Sequence, residues 1–197
     1  MKLLLTGFVP FLNHKTNPTE EVVKSLDGQT INEYNVEGHI LPVDFNESEK
    51  ELLKEINERE PDVVIMLGLA AGRSRITPER IAINVKDGRE DNSGFAPVDL
   101  PIIEDGPDGI FSTLPIRKMV DNLNAEFLPA KISNTAGTYL CNNIMYVALN
   151  AAGLEEKFKA GFIHIPASHE LAIENESLPS MSIDDLTRAV KICIETL

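Results

Sequence analysis

The stretch PDVVIMLGLAAGR, residues 61–73, is apolar throughout its first half and then turns sharply. Pro61 ends whatever precedes it, because it lacks an amide hydrogen and drives the residue before it out of the helical region. The run DVVIMLG (62–68) is continuous rather than alternating, and rich in β-branched residues. Such a segment is expected in a strand buried on both faces of a parallel sheet. A strand of that kind needs helices above and below it, so extended and helical patterns should alternate on either side.

They do. Upstream, residues 2–6 (KLLLT) read as a first strand, and a loop leads to Asn17-Pro18, which caps a helix TEEVVKSL that ends at Asp27-Gly28. Residues 36–43 form a second strand. The segment NESEKELLKEINERE follows, with Ser48 and Glu51 at capping-box spacing and Leu52, Leu53 and Ile56 on one face. Downstream, ERIAINV (79–85) alternates with period two and reads as a half-buried strand. The Gly-, Pro- and Asp-rich residues 86–113 form a long surface excursion, after which a helix near 115–124 and a strand near 130–134 are expected. A helix around Cys141, a strand at 160–165 and a last helix beginning at Ser182 complete the chain. In that last helix Leu186, Val190, Cys193 and Leu197 share a face, which makes Cys193 a packing residue. The expected fold is one α/β domain over residues 1–197, a three-layer α/β/α sandwich around a largely parallel, mixed and twisted sheet.

Composition narrows the function. The 197 residues include 18 basic and 31 acidic side chains, a formal charge of −13. That charge repels phosphate backbones and anionic membrane surfaces, so neither nucleic acid nor membrane is an expected partner. No run approaches the roughly 20 apolar residues of a bilayer span. The opening MKLLLTGFVPF is too briefly apolar for a signal peptide and reads as a strand of a cytoplasmic protein. Two cysteines, Cys141 and Cys193, are expected as free thiols. His14, His39, His164 and His169 are scattered without zinc-ligand spacing, so no metal is expected.

In sheets of this type ligands bind beyond the carboxyl ends of the strands. Four loops leave such ends: TGFVPF (6–11), GLAAGR (68–73), GTYLCN (137–142) and HIPASHE (164–170). Cys141 stands at a helix start, where the backbone dipole favours thiolate, although a buried cysteine is more often a small hydrophobe. A free thiol of pKa ~8.5 is only about 3% ionised at pH 7, and the dipole raises that to roughly a seventh. An imidazolium partner is needed for a dominant ion pair, and His164 ends the next strand unit. GLAAGR has two glycines but no Lys-Ser/Thr pair, so it is a weak phosphate cradle; a tight turn carrying Arg73 and Arg75 to the rim is the other reading.

TGFVPF with Asn17-Pro18, GLAAGR followed by residues 76–83, GTYLCNN and GFIHIP occur in this order from the first strand to the last helix. Together they resemble the pyroglutamyl peptidase I family, cytosolic cysteine exopeptidases with an α/β/α sandwich fold, commonly homotetramers or homodimers. The resemblance implies removal of an N-terminal pyroglutamyl residue from peptides without cofactor. It implies Cys141 as nucleophile, His164 as its base and acid, and Glu79 as the acid that orients the imidazole. It further implies Arg89 and the Cys141 amide at the oxyanion, and Phe8, Phe11 and Asn17 around the pyrrolidone ring. Leu69 stands where many members carry glutamine. Two other classes remain open at this point: a binding protein that keeps the pocket without turnover, and a phosphate or nucleotide enzyme built on GLAAGR.

Overall fold

The computed structural model describes residues 1–11, 16–155, 157–173 and 175–197; His14 lies outside them. In chain order the elements are β1 (Lys2–Phe8), α1 (Pro18–Leu26), β2 (Thr30–Ile31), β3 (Tyr34–Leu41), α2 (Phe45–Arg59), β4 (Val63–Leu69), β5 (Thr77–Pro78) and β6 (Ile81–Ile83). They continue with β7 (Gly109–Phe111), α3 (Ile116–Ala125), α4 (Leu140–Ala152), β8 (Lys159–Ile165), β9 (Ala167–Ser168), α5 (His169–Ile173), β10 (Ser180–Met181) and α6 (Ile183–Glu195).

The central sheet runs β2-β3-β1-β4-β8-β5. β3, β1, β4 and β8 are parallel, while the two short edge strands β2 and β5 are antiparallel to their neighbours. β4 occupies the middle and is buried from Val63 through Gly68. Because successive side chains point to opposite faces, its residues divide between two cores. Val63, Ile65 and Leu67 join β1 and β8 residues under α1, α3 and α6, where Cys193 is fully buried. Val64 and Met66 join Leu4, Ala160 and Phe162 under α2 and α4. The result is a three-layer sandwich around a mixed sheet.

Local chemistry explains the boundaries. Asn17 caps α1, its Oδ1 accepting from the Thr19 amide at 3.1 Å, with Pro18 in the first turn. α2 starts at Phe45, one residue before the NESE segment begins: Asp44, not Ser48, is the cap, with its Oδ1 accepting from the Asn46 and Glu47 amides, both at 2.9 Å. Ser48 lies inside the helix, buried, so its spacing to Glu51 is incidental. Of the expected strand 79–85 only Ile81–Ile83 is regular, as β6, and the short β5 lies just before it. β5 pairs with β8, and β6 leaves the sheet to form a ribbon with β7. Residues 130–134 form no regular strand; they lie beside 76–80 through isolated bridges, Ile76 to Ala130 and Glu79 to Ser133.

Candidate active site

The carboxyl ends of β1, β4 and β8 face one rim of the sheet, and the start of α4 is carried to the same rim. The turn before α4 needs Gly137, whose φ of 82° is left-handed. Tyr139 then takes the N-cap position in extended conformation and puts Cys141 in the first helical turn. Two contacts hold this turn in place. Asn142 accepts from the Ile83 amide at 2.9 Å and donates to the Ile83 and Val85 carbonyls, clamping α4 to the β6 edge. The Tyr139 ring meets Phe45 edge-on, with centroids 5.2 Å apart, and its hydroxyl donates to the Glu90 carbonyl.

Gly68 makes room for the sulfur. A β-carbon at Gly68 would lie 2.9 Å from Cys141 Sγ and 2.6 Å from the Phe162 ring. Gly68 is the register partner of His164 on the adjacent strand. Adjacent strands are about 4.8 Å apart, and His164 shares a sheet face with Phe162, two residues before it. The thiol therefore rests over β4 with the imidazole one strand away on the same face. The Phe162 ring braces that imidazole, with centroids 4.8 Å apart.

Glu79 closes the arrangement. Its amide donates to the Phe162 carbonyl at 2.9 Å, which fixes the backbone beside β8. Its fully buried carboxylate accepts from His164 Nδ1 at 2.7 Å, leaving Nε2 of the ring for other work. Arg73 arrives from the other side. The turn after β4, closed by an Arg73 amide bond to the Ala70 carbonyl, brings its guanidinium to Glu79 Oε1 at 2.7 Å and to Thr77 Oγ1 at 2.7 Å. GLAAGR is thus a tight turn that aims Arg73 inward, and not a cradle opening outward.

Burial and charge set the proton positions. Burial and the nearby Glu79 carboxylate push the Cys141 thiol up to about 12, with Arg73 pulling against them. Burial lowers His164, a shift that its bond to Glu79 opposes and Arg73 reinforces. Burial works against the Glu79 carboxylate, yet His164, a more distant Ser133 hydroxyl and Arg73 together hold it below its ordinary value. The resting site is therefore thiol, neutral imidazole and carboxylate. Burial and the Glu79 carboxylate thus oppose the sulfur anion that a place at the start of α4 favours.

Beside the sulfur lies a small apolar cleft walled by Phe8, Phe11, Val43, Leu69 and Tyr139, with Asn17 at its side. Asn17 is itself occupied: Nδ2 donates to the Val9 carbonyl, and Oδ1 accepts from the Thr19 hydroxyl as well as its amide. Arg89 is exposed and lines the adjoining groove with Asp87 and Gly88; Phe11, Leu69 and Tyr139 border both spaces. His169 stays apart, bonded to Ser180, and both cysteines are free. Among the described residues no group of three His, Cys, Asp or Glu side chains is arranged to hold a metal ion, and no helix is long and apolar enough to cross a membrane.

The sequence singled out Cys141 and His164 by motif and Glu79 only through the family resemblance, whereas Arg73 as a partner of Glu79, Gly68 as the gap for sulfur and Asn142 as a clamp were missed. Gly68 had the one available signal, a glycine closing an otherwise large-residue strand.

Fold and site define a class: an α/β/α protein with cysteine, histidine and carboxylate gathered at the carboxyl rim of its sheet, the equipment of a cysteine hydrolase. The pyroglutamyl peptidase family profile matches residues 1–197, and the chain belongs to that family. A pyrrolidone-carboxylate peptidase of Halalkalibacterium halodurans is 54% identical over 197 residues, 99% of this chain and 98% of that protein. The crystal structure of pyroglutamyl peptidase I from Bacillus amyloliquefaciens superposes with a TM-score of 0.95 at 38% identity, covering 99% of this chain and 94% of that one. A mutant pyrrolidone carboxyl peptidase from Pyrococcus furiosus gives a TM-score of 0.96 at 44% identity, covering 100% and 97%.

Proposed function

We propose that this chain hydrolyses the amide bond after an N-terminal pyroglutamyl residue, with Cys141 as nucleophile, His164 as base and acid, and Glu79 orienting the imidazole. The observation that carries the reading is the 2.7 Å bond from His164 Nδ1 to buried Glu79, with the Cys141 sulfur over the glycine in register with His164. That bond fixes the tautomer and leaves Nε2 unprotonated, the form of a general base.

The pyroglutamyl ring is an uncharged lactam and suits the apolar cleft between Phe8 and Phe11, near Asn17. As the sulfur attacks the acyl carbonyl, its proton passes to His164 Nε2. The carbonyl oxygen becomes an oxyanion, held by the Cys141 amide at the start of α4 and by Arg89; one good donor is worth about 3–4 kcal/mol. His164 then gives its proton to the amide nitrogen, the carbon–nitrogen bond breaks and the shortened peptide leaves. Water loses a proton to His164 and attacks the thioester, releasing pyroglutamate and restoring the thiol.

The reading includes one catalytic unit over residues 1–197, acting in the cytoplasm as a homodimer or homotetramer, with no cofactor and no nucleic-acid or membrane partner. The charge of −13 supports the last two exclusions. The test is release of a fluorescent amine from a pyroglutamyl amide. Cys141→Ala should lower kcat by about 10³-fold or more; undiminished release by that protein would remove the nucleophile and the mechanism with it.

A further inference from the structure

Glu79 poses an electrostatic problem that the three proposed catalytic residues do not solve. Its carboxylate is fully buried, and a buried anion requires a counter-charge. If His164 were the only one available, the imidazole would rest protonated, and a protonated imidazole cannot accept the thiol proton. Arg73 is the second cation. Its Nη1 shares Glu79 Oε1 with His164 Nδ1, both at 2.7 Å, and is steadied by Thr77 Oγ1. Arginine is always charged at accessible pH.

We infer that Arg73 is a positioning residue for the proposed reaction, a permanent counter-ion that keeps Glu79 ionised while leaving His164 neutral and able to accept the thiol proton. The inference rests on the reading of Cys141 and His164 given above. Each element packed around the group contributes one charged or titratable side chain: Arg73 from the turn after β4, Glu79 from the segment between β5 and β6, Cys141 from α4 and His164 from β8. The charges acting on His164 are those of Glu79 and Arg73, and the same two act on Cys141. Glu79 in turn feels His164 and Arg73. Tyr139, at the start of α4, feels Cys141 together with Asp91 and Arg89. Removing Arg73 therefore leaves the imidazolium as the one counter-charge acting on the carboxylate, and the sign follows: His164 becomes harder to deprotonate.

The experiment compares the acid limb of kcat/KM in wild type, Arg73→Met, Arg73→Gln and Arg73→Lys, with thermal unfolding to establish folding. The limb should move to higher pH by about one unit or more in the two uncharged variants, and stay near the wild-type position in Arg73→Lys, whatever happens to the rate. In a Glu79→Gln background, which has no carboxylate to balance, the shift produced by Arg73→Met should shrink to the part due to direct repulsion between Arg73 and His164, and an undiminished shift there would also overturn the inference. NMR titration of His164 in Cys141→Ser protein gives the same comparison without turnover, so it remains valid should Cys141 prove not to be the nucleophile. A folded Arg73→Met or Arg73→Gln protein with lower activity but an unmoved limb would overturn the inference, as would a limb displaced equally by lysine. If Arg73→Met does not fold, Arg73→Gln and Arg73→Lys decide the question.

Discussion

Replacing Gly68 by alanine tests how closely the site is fitted. The backbone there lies outside the left-handed region, so the substitution adds volume without dihedral strain. The new methyl would sit 2.6 Å from Phe162 Cζ, 2.7 Å from Cε1 and 2.9 Å from Cys141 Sγ. Carbon contacts are comfortable near 3.5–4.0 Å, so ring and sulfur must each retreat by about 1 Å. Neither has an easy retreat: Phe162 is fully buried against the sheet, and the start of α4 is clamped by Asn142. Overpacking of this kind costs about 1–3 kcal/mol of stability, and a displacement near 1 Å at the reacting atom costs about 100-fold in rate. The assay is kcat/KM on a fluorogenic pyroglutamyl amide, below the unfolding transition of both proteins. A folded Gly68→Ala enzyme within about threefold of wild type would refute the placement of the sulfur over β4. Gly72→Ala is the control, since a β-carbon there meets nothing within 4 Å.

Two further outcomes follow from residues that hold the rim together. Asp91 accepts from the Phe45, Ser93 and Phe95 amides and the Ser93 hydroxyl, at 2.7–3.0 Å, tying the 86–113 excursion to the start of α2. Burial opposes its charge, but those bonds hold its carboxyl below the ordinary 3.8. Asp91→Ala should therefore cost about 2–3 kcal/mol at neutral pH. With the folded value depressed, this stabilisation is complete above pH 3.8 and lost as pH falls through the folded value. Urea midpoints at pH 7 and pH 3 should show the gap narrowing, and an equal gap at both would contradict the assignment. Asn17→Ala removes the α1 cap and the bond to the Val9 carbonyl, so it should cost about 1 kcal/mol by thermal unfolding and raise KM by loosening the Phe8–Phe11 loop; unchanged KM with lowered stability would confine Asn17 to capping.

What the sequence alone determined was everything that depends on neighbours along the chain. PDVVIMLG announced a central strand because burial on both faces permits no polar alternation, and the helices were legible because a 3.6-residue period leaves an apolar stripe. GTYLCN and GFIHIP were legible as motifs. Local reading failed where two local solutions compete: Asp44 and Ser48 both offer a cap, and only packing of Phe45 and Leu52 under the sheet selected the first. It failed again over 79–85 and 130–134, where alternation signals extended chain but says nothing of its partner, so β6 turned to β7 and the later segment kept only isolated bridges. The site needed tertiary structure most of all. Among 31 acidic residues, nothing local distinguishes Glu79. Its identity comes from antiparallel pairing of β5 with β8, which sets it beside His164, and from the turn after β4, which brings Arg73 to the same oxygen.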